Sequence, residues 1–359
     1  MKKIRLAILG TGGMAGAHVE RWLNHPNIVI AALCDVSLEI IEKFKVKTKL
    51  DSYKPQPEAF TDAATMFTEA KLDAVIIITP HTMHFEHAML AADAGLHVFM
   101  EKPMVTSAEQ AHALATRFKD LGKVFIIGYN TPCTPAFEWL RQAIRESKFG
   151  KLELVSGYLS QNWMKATAGS WRQKPELSGG GQAYDSGAHL LNSLCWTVES
   201  DIAEVFTFLD NHGTPVDINS AINLRFANGV MASVVVSGNC MANGADLHFM
   251  FENGRVDIDG WMGTWIKVFD ANGPVETPEI TGVAGTPNEN FVDAILGRAA
   301  PRTSIQNGMV QSELMDAIYE SARTGQPAKP KKNNVLSAEE QMEQFAKQLK
   351  EDDWGHQPC

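Results

Sequence analysis

Three groups of residues have types and spacings that could do chemistry. The first is Gly10-Thr11-Gly12-Gly13-Met14-Ala15, directly behind the apolar run Ile4–Leu9. The second is Lys102, set between Glu101 and Pro103 behind the apolar run His97–Met100. The third is Gly179-Gly180-Gly181, followed by Asp185 and, four residues on, by His189. A glycine turn between strand and helix can cradle a pyrophosphate. Gly10 permits the tight turn, Gly12 has no Cβ to hold phosphate away from the backbone, and Ala15 is small where the helix must pack on the strand. Gly13 and Met14 open the helix, whose first amides and dipole favour phosphate charge. Asp35 stands about twenty residues beyond the turn, after the apolar run 28–33, where a carboxylate can accept bonds from both adenosine ribose hydroxyls. The same carboxylate repels a 2′-phosphate, and Val36 and Ser37 follow it instead of an arginine. The expected cofactor is therefore NAD, with NADP the less favoured choice.

Lys102 follows a buried-strand pattern, so it is expected to be partly desolvated. Near a cationic nicotinamide ring such a lysine would exchange its proton more readily than one on the surface. A surface lysine or a simple Glu101–Lys102 charge pair is the alternative. Pro103 stiffens the backbone there and is open to a cis bond. Asp185 and His189 would share one face if both lay on a helix. Beside Lys102 they would make a hydrogen-bonded proton relay for a hydroxyl; the alternative is a capping Asp and a core His. His81, His84 and His87 run i, i+3, i+6 with no nearby cysteine and no HExxH, so no metal site is expected. His84 is expected to line the cofactor site. Trp163, Trp171 and Arg172 are candidates for a substrate wall, since aromatic faces suit sugar rings, although packing is the ordinary role of such tryptophans.

These groups need elements to position them. Strand-like runs at 4–9, 28–33, 74–78, 97–100 and 124–127 alternate with helical stretches ending near 24 and at 38–47, 62–70, 83–94 and 106–121. That alternation predicts a doubly wound, mostly parallel sheet covered on both faces, a Rossmann domain over residues 1–130. In such sheets ligands collect at the carboxyl ends of the strands. Asp35, Thr79-Pro80, Glu101-Lys102-Pro103 and Asn130 all fall there. The rhythm then changes. Helices are expected at 135–147 and 183–198, a strand at 152–160 and a loop at 161–181. Strand-like runs follow at 204–209, 218–226, 230–237, 246–251, 255–258 and 265–269, with hairpin signals at Asn228-Gly229 and Asn253-Gly254. Helices at 288–296, 304–323 and 337–349 complete an α+β domain over 131–359, built on a mostly antiparallel sheet.

The 359 residues suit about two domains, and 45% hydrophobic with 21% charged residues is an ordinary globular composition. A formal charge of −10 argues against nucleic-acid binding. No apolar run reaches membrane-spanning length. Met-Lys-Lys and Ala15-Gly16-Ala17 superficially mimic a secretion signal, but Arg5 and the glycines interrupt the apolar stretch. The cysteines, Cys34, Cys133, Cys195, Cys240 and Cys359, are scattered and odd in number. That pattern fits reduced thiols in a cytoplasm.

With these residues in view, the chain resembles the glucose–fructose oxidoreductase/inositol dehydrogenase/rhizopine-catabolism (Gfo/Idh/MocA) family. The matching pieces are residues 10–15, Thr79-Pro80 with His84, Ala94-Gly95-Leu96-His97-Val98 leading to Glu101-Lys102-Pro103, and Gly180-Gly181 with Asp185 and His189. Asn290-Phe291-Val292-Asp293-Ala294-Ile295 and Ala317-Ile318-Tyr319-Glu320-Ser321-Ala322 look like its C-terminal signatures. The resemblance covers nearly the whole chain. It implies a large open sheet in the second domain, used as the interface of a homodimer or homotetramer. It also implies NAD(P)-dependent oxidation or reduction of sugars, polyols such as inositols, or their derivatives, with Lys102, Asp185 and His189 as the catalytic set. Two departures touch the substrate pocket: Asn130-Thr131-Pro132 lacks a basic residue common there, and Asn192 stands where many members have Asp. A redox-neutral NAD-dependent glycosidase or lyase, and a non-enzymatic NAD or sugar sensor, stay open beside the dehydrogenase reading.

Overall fold

The computed structural model describes residues 3–275, 280 and 285–332. Six strands, β1 (Ile4–Leu9), β2 (Ile28–Cys34), β3 (Glu58–Phe60), β4 (Ala74–Ile77), β5 (His97–Met100) and β6 (Phe125–Ile127), form one sheet in the order β3-β2-β1-β4-β5-β6. Every pair in it is parallel. Its strands are continuous apolar runs because both faces are covered. Ala7, Leu9, Val75, Ile77, Val98 and Met100 pack on one face. Leu6, Ile8, Ala74, Ile76 and Phe99 pack on the other. The strand order reverses beside β1, so a crevice opens between the carboxyl ends of β1 and β4. The glycine turn leaves β1 at that point and Thr79 follows β4.

Eight strands build the second sheet: β7 (Leu152–Ser160), β8 (Ile202–Asp210), β9 (Asn219–Phe226), β10 (Met231–Ser237), β11 (Gly244–Phe251), β12 (Gly254–Asp259), β13 (Ile266–Asp270) and β14 (Gly273–Val275). Their order is β14-β13-β12-β11-β7-β10-β9-β8, antiparallel except where β7 and β10 run side by side in parallel. Asn228-Gly229 joins β9 to β10, with Gly229 at φ +92°, and Asn253 joins β11 to β12. Strands β9 to β11 alternate buried and more exposed residues, so only one face is covered. That face packs on the helices Gly187–Val198 and Ile305–Thr324 through Leu190, Leu194, Leu314 and Ile318. The Ile305–Thr324 helix also ties the two sheets together. Its Glu313 carboxylate lies 2.6 Å from His112 Nε2, and Asp316 accepts the Ala108 amide at 2.8 Å, both on the helix Ala108–Phe118 of the first sheet.

Several elements differ from expectation. The three-residue strands β3 and β14 are too short to carry a readable pattern. The stretch 161–181 holds short helical turns at Trp163–Ala166, Trp171–Gln173 and Pro175–Ser178. The helix expected from 183 begins at Gly187, because residues 182–186 form a turn. The helix expected at 337–349 lies outside the described residues. The Lys102–Pro103 peptide is cis. No helix among the described residues is long and apolar enough to cross a membrane.

Candidate active site

The glycine turn is shaped by its backbone. Gly10 has φ +92°, and a Cβ there would lie 2.8 Å from the Ile78 carbonyl carbon and oxygen. Only glycine fits that close approach of β1 to the end of β4. At Gly12 and Gly13 a Cβ would meet nothing within 4 Å, so the turn faces open space. Gly12 caps the helix Gly13–Trp22 without a side-chain bond to its first amides. Room beside the backbone together with free helix-start donors is what a pyrophosphate requires, so the residues fit a dinucleotide. Ala15 is fully buried under the turn and Met14 is exposed at its rim. Asp35 Oδ2 accepts both the amide and the hydroxyl of Thr11 at 2.7 Å, and Oδ1 accepts the Val36 amide. The carboxylate is thereby fixed at the end of β2 and keeps unused acceptor capacity.

Thr79 and Pro80 lead from β4 into the helical turn His81–Met83. The three histidines beyond them diverge. His81 Nδ1 donates to the Ser178 carbonyl at 2.9 Å, and His87 Nδ1 lies 3.0 Å from the Thr79 hydroxyl. His84, fully buried, sets its two ring nitrogens on the carbonyls of Pro103 and Thr79 at 2.8 and 2.9 Å. Both nitrogens are thus engaged by backbone. His84 joins the end of β4 to the segment after Lys102 and forms part of the cleft wall. No group of three or more His, Cys, Asp or Glu that could hold a metal is found among the described residues.

Glu101 turns inward. Arg21 donates to Asn288 Oδ1, which points the Asn288 amide nitrogen at His18 Nδ1. His18 Nε2–H then donates to Glu101 at 2.8 Å. Burial alone would raise the Glu101 pKa, but the His18 hydrogen bond and the nearby Lys102 charge outweigh it and lower the value.

Lys102 crosses from the first sheet to the turn before the helix Gly187–Val198. Its Nζ donates to Asp185 Oδ1 at 2.6 Å and to the Asp185 carbonyl at 3.1 Å. Asp185 Oδ2 accepts from Trp163 Nε1 at 2.8 Å and Arg172 Nε at 3.1 Å. Burial pushes the Asp185 carboxyl up, yet the neighbouring cations, Lys102 foremost, hold it far below the usual carboxylate range. His189 is not bonded to Asp185. Its ring rests between Trp261, 4.6 Å away, and Tyr129, 5.8 Å away, and its nitrogens make no hydrogen bond among the described residues. The expected Asp185–His189 relay is therefore absent. Asp185 lies in the turn ahead of the helix, so it does not share the helix face that presents His189. Burial, with the Lys102 charge, lowers the His189 pKa to about 3, so the ring is neutral near pH 7.

One cleft of about 480 Å³ gathers Gly12, Gly13, Met14, Thr79, His84, Glu101, Lys102, Asn130, Trp163, Trp171, Arg172, Asp185 and His189. That size suits a small-molecule site. Gly10 and Ala15 shape the turn beneath it; Asp35 and Pro80 stand outside its lining. Sequence reasoning did not single out His18, Gln161, Trp261 and Asn288, which also line it, and weighed His81 only as a metal ligand. Trp261 comes from the loop after β12, and Asn288 is 270 residues from its partner His18. Nor did any local signal mark Asp217. Its Oδ1 and Oδ2 accept the Gly181 and Ala183 amides at 2.7 and 2.8 Å, its carbonyl accepts the Gln182 amide, and Tyr319 donates to Oδ1. A Cβ on Gly181 would fall 2.0 Å from the Asp217 carbonyl oxygen, which explains the glycine.

Fold and cleft together define a dinucleotide-binding protein in which loops and helix starts beside the second sheet line the mouth of a Rossmann crevice. Residues 4–129 match the family model for the GFO_IDH_MocA oxidoreductase family, NAD-binding Rossmann fold, and residues 137–257 match the GFO/IDH/MocA C-terminal domain. The chain belongs to the Gfo/Idh/MocA oxidoreductase family. It is 26% identical over 196 residues to D-glucoside 3-dehydrogenase of Escherichia coli, a match covering 54% of each chain, about half of that relative's length. It is 23% identical over 290 residues to levoglucosan dehydrogenase of Pseudarthrobacter phenanthrenivorans, covering 70% of this chain and 71% of the relative. A solved levoglucosan dehydrogenase in complex with NADH and L-sorbose superposes with a TM-score of 0.80 at 21% identity, covering 93% of this chain and all of that one. At that identity the likeness speaks for the fold.

Proposed function

We propose that the protein is an NAD(P)-dependent oxidoreductase, NAD preferred, that moves a hydride between nicotinamide and a hydroxyl or keto carbon of a sugar, a polyol or a sugar derivative. The observation that carries this reading is the Lys102–Asp185 ion pair, set opposite a neutral, unbonded His189 in the same cleft as the glycine turn. The sugar dehydrogenases among the relatives support the substrate class. Residues 10–15 and Asp35 would hold the dinucleotide, with Thr79, Glu101 and Asn130 beside its reactive end. When bound, the cofactor accepts or returns a hydride. Lys102, as an ammonium fixed by Asp185, donates a hydrogen bond to the reacting oxygen and stabilises the charge that builds there. It has no lone pair to spare, so His189 is the group that takes the hydroxyl proton. Trp163, Trp171 and Trp261 supply apolar walls that hold a ring in place and keep water out.

We take residues 1–130 as the cofactor unit and 131–359 as the substrate unit. A homodimer or homotetramer would form through the open face of the second sheet. Phe208, Val235 and Tyr158 stand there in one row across β8, β10 and β7, 64%, 48% and 36% exposed. The free thiols of Cys34, Cys133, Cys195 and Cys240 suit a reducing cytoplasm. The test is absorbance at 340 nm with NAD⁺ or NADP⁺ and a panel of sugars and polyols, run beside chromogenic glycosides. NADH formation with one sugar supports the dehydrogenase. Glycoside cleavage without net NADH would replace it with redox-neutral chemistry.

A further inference from the structure

Within the proposed oxidoreductase site, Arg172 has a place that the hydride chemistry leaves unused. Its guanidinium is held from two sides: Nε donates to Asp185 Oδ2 at 3.1 Å, and the guanidinium carbon lies 4.6 Å from the centre of the Trp171 ring. Trp171 is itself packed edge-on against buried His81 at 4.8 Å. The two terminal nitrogens have no hydrogen-bond partner among the described residues, and the side chain is 32% exposed where it lines the cleft. The carboxylates lining that cleft are already engaged. Glu101 is bonded to His18 and to the Lys102 amide. Asp185 serves Lys102, Trp163 and Arg172 together, so two cations share one carboxylate at the substrate end. His81, with Nδ1–H given to the Ser178 carbonyl, adds a lone pair and no charge; burial lowers its pKa to about 3.

A guanidinium fixed at Nε, with its NH1/NH2 edge open, matches the spacing of two oxygens on one carbon. We propose that the physiological substrate carries a carboxylate, as a sugar acid or carboxylated cyclitol, and that Arg172 binds it through its free edge. Because Asp185 bridges Arg172 and Lys102, this contact places the reacting hydroxyl beside Lys102 and His189. The assignment rests on the oxidoreductase reading but fails separately from it.

The test compares matched pairs that differ only in the acid: D-glucuronate with D-glucose, D-galacturonate with D-galactose, and D-gluconate with D-glucitol. Binding to the protein–NADH complex is followed by nicotinamide fluorescence, and kcat/KM at 340 nm. A charge-assisted bidentate contact predicts a preference of about tenfold or more for the acid in at least one pair. Arg172→Gln should remove that preference, and Arg172→Lys should keep part of it, as a point charge without the fork. Equal values within every pair, or no binding by any member while NADH binds, would overturn the carboxylate assignment and leave cofactor binding standing. Absence of NADH binding would instead sink the oxidoreductase reading beneath it.

Discussion

Asp217 touches no part of the cleft, yet its replacement by Asn should damage the site and the fold together. The carboxylate accepts one amide on each oxygen, from Gly181 and Ala183, within the turn that carries Asp185. Asp217→Asn keeps the shape but turns one acceptor into a donor, so one buried N–H must face an NH₂ group. An unsatisfied buried amide costs about 1–3 kcal/mol, and losing the charge on the remaining bond costs about 1 kcal/mol more. The sum, about 3 kcal/mol, corresponds to a fall in Tm of roughly 6–12 °C for a unit of this size. The Asp185 N–H···O=C Gly181 bond, 2.9 Å, passes the distortion on to the Lys102 partner. A displacement of about 1 Å there would lower kcat about 100-fold. NADH affinity should stay within a factor of about three, because the glycine turn belongs to the other sheet. Tyr319→Phe, which removes one bond to Oδ1 and leaves both amides satisfied, should cost only about 1 kcal/mol. Thermal melts, NADH fluorescence titration and kcat on each variant form the assay. An Asp217→Asn protein with Tm within 1 °C and kcat within twofold of the parent would refute the reasoning.

Lys102→Ala should lower kcat by at least about 1,000-fold while leaving the NADH dissociation constant within about threefold, since Lys102 is expected to act on the substrate oxygen; retained turnover would remove it from the mechanism. His81 and His189, with pKa values lowered to about 3, bind protons in the unfolded chain before they do so in the folded one. Stability from these two groups is therefore fully present above their unfolded value near 6.5 and falls as pH drops from there toward 3. Each accounts for roughly 2 kcal/mol between pH 7 and 5, and a urea midpoint unchanged over that range would contradict the assignment. The same values place no His189 inflection between pH 5 and 8 in kcat/KM. Asp35→Ser should raise the KM for NAD⁺ about tenfold and narrow its advantage over NADP⁺; an unchanged ratio would mean the carboxylate does not read the ribose. Val235→Glu sets a charge in the exposed row with Phe208 and Tyr158, and light scattering should then report a smaller species than for the parent chain.

The Rossmann half was readable because its physics is local. Parallel strands buried on both faces appear as unbroken apolar runs, and most changes of direction are marked by Gly, Pro or a capping residue, as with Asp62 before the helix Ala63–Glu69. The larger strands of the second sheet were readable as strand-like runs with no long helix between them and from Asn-Gly turns. What stayed hidden was short or non-local. β3 and β14 are each three residues long, and the parallel β7–β10 pairing joins segments more than 70 residues apart.

For the site, the sequence by itself determined which groups arrive at the strand ends: the glycine turn, Asp35, Thr79 and Lys102 all follow apolar runs whose direction sets where they emerge. It also brought Asp185 and His189 forward as partners for Lys102. Only the tertiary structure decided who bonds to whom. Lys102 and Asp185 are 83 residues apart and meet where Gly179 can pack on Thr106, Gly180 on Tyr319 and Gly181 on Asp217. His189, assigned to a relay by its spacing, is left free by a turn that ends one residue after Asp185, at Ser186. Burial then makes its ring neutral. Hydrogen bonding and desolvation depend on what surrounds a group in space, and for these residues the surroundings come from segments far away in sequence.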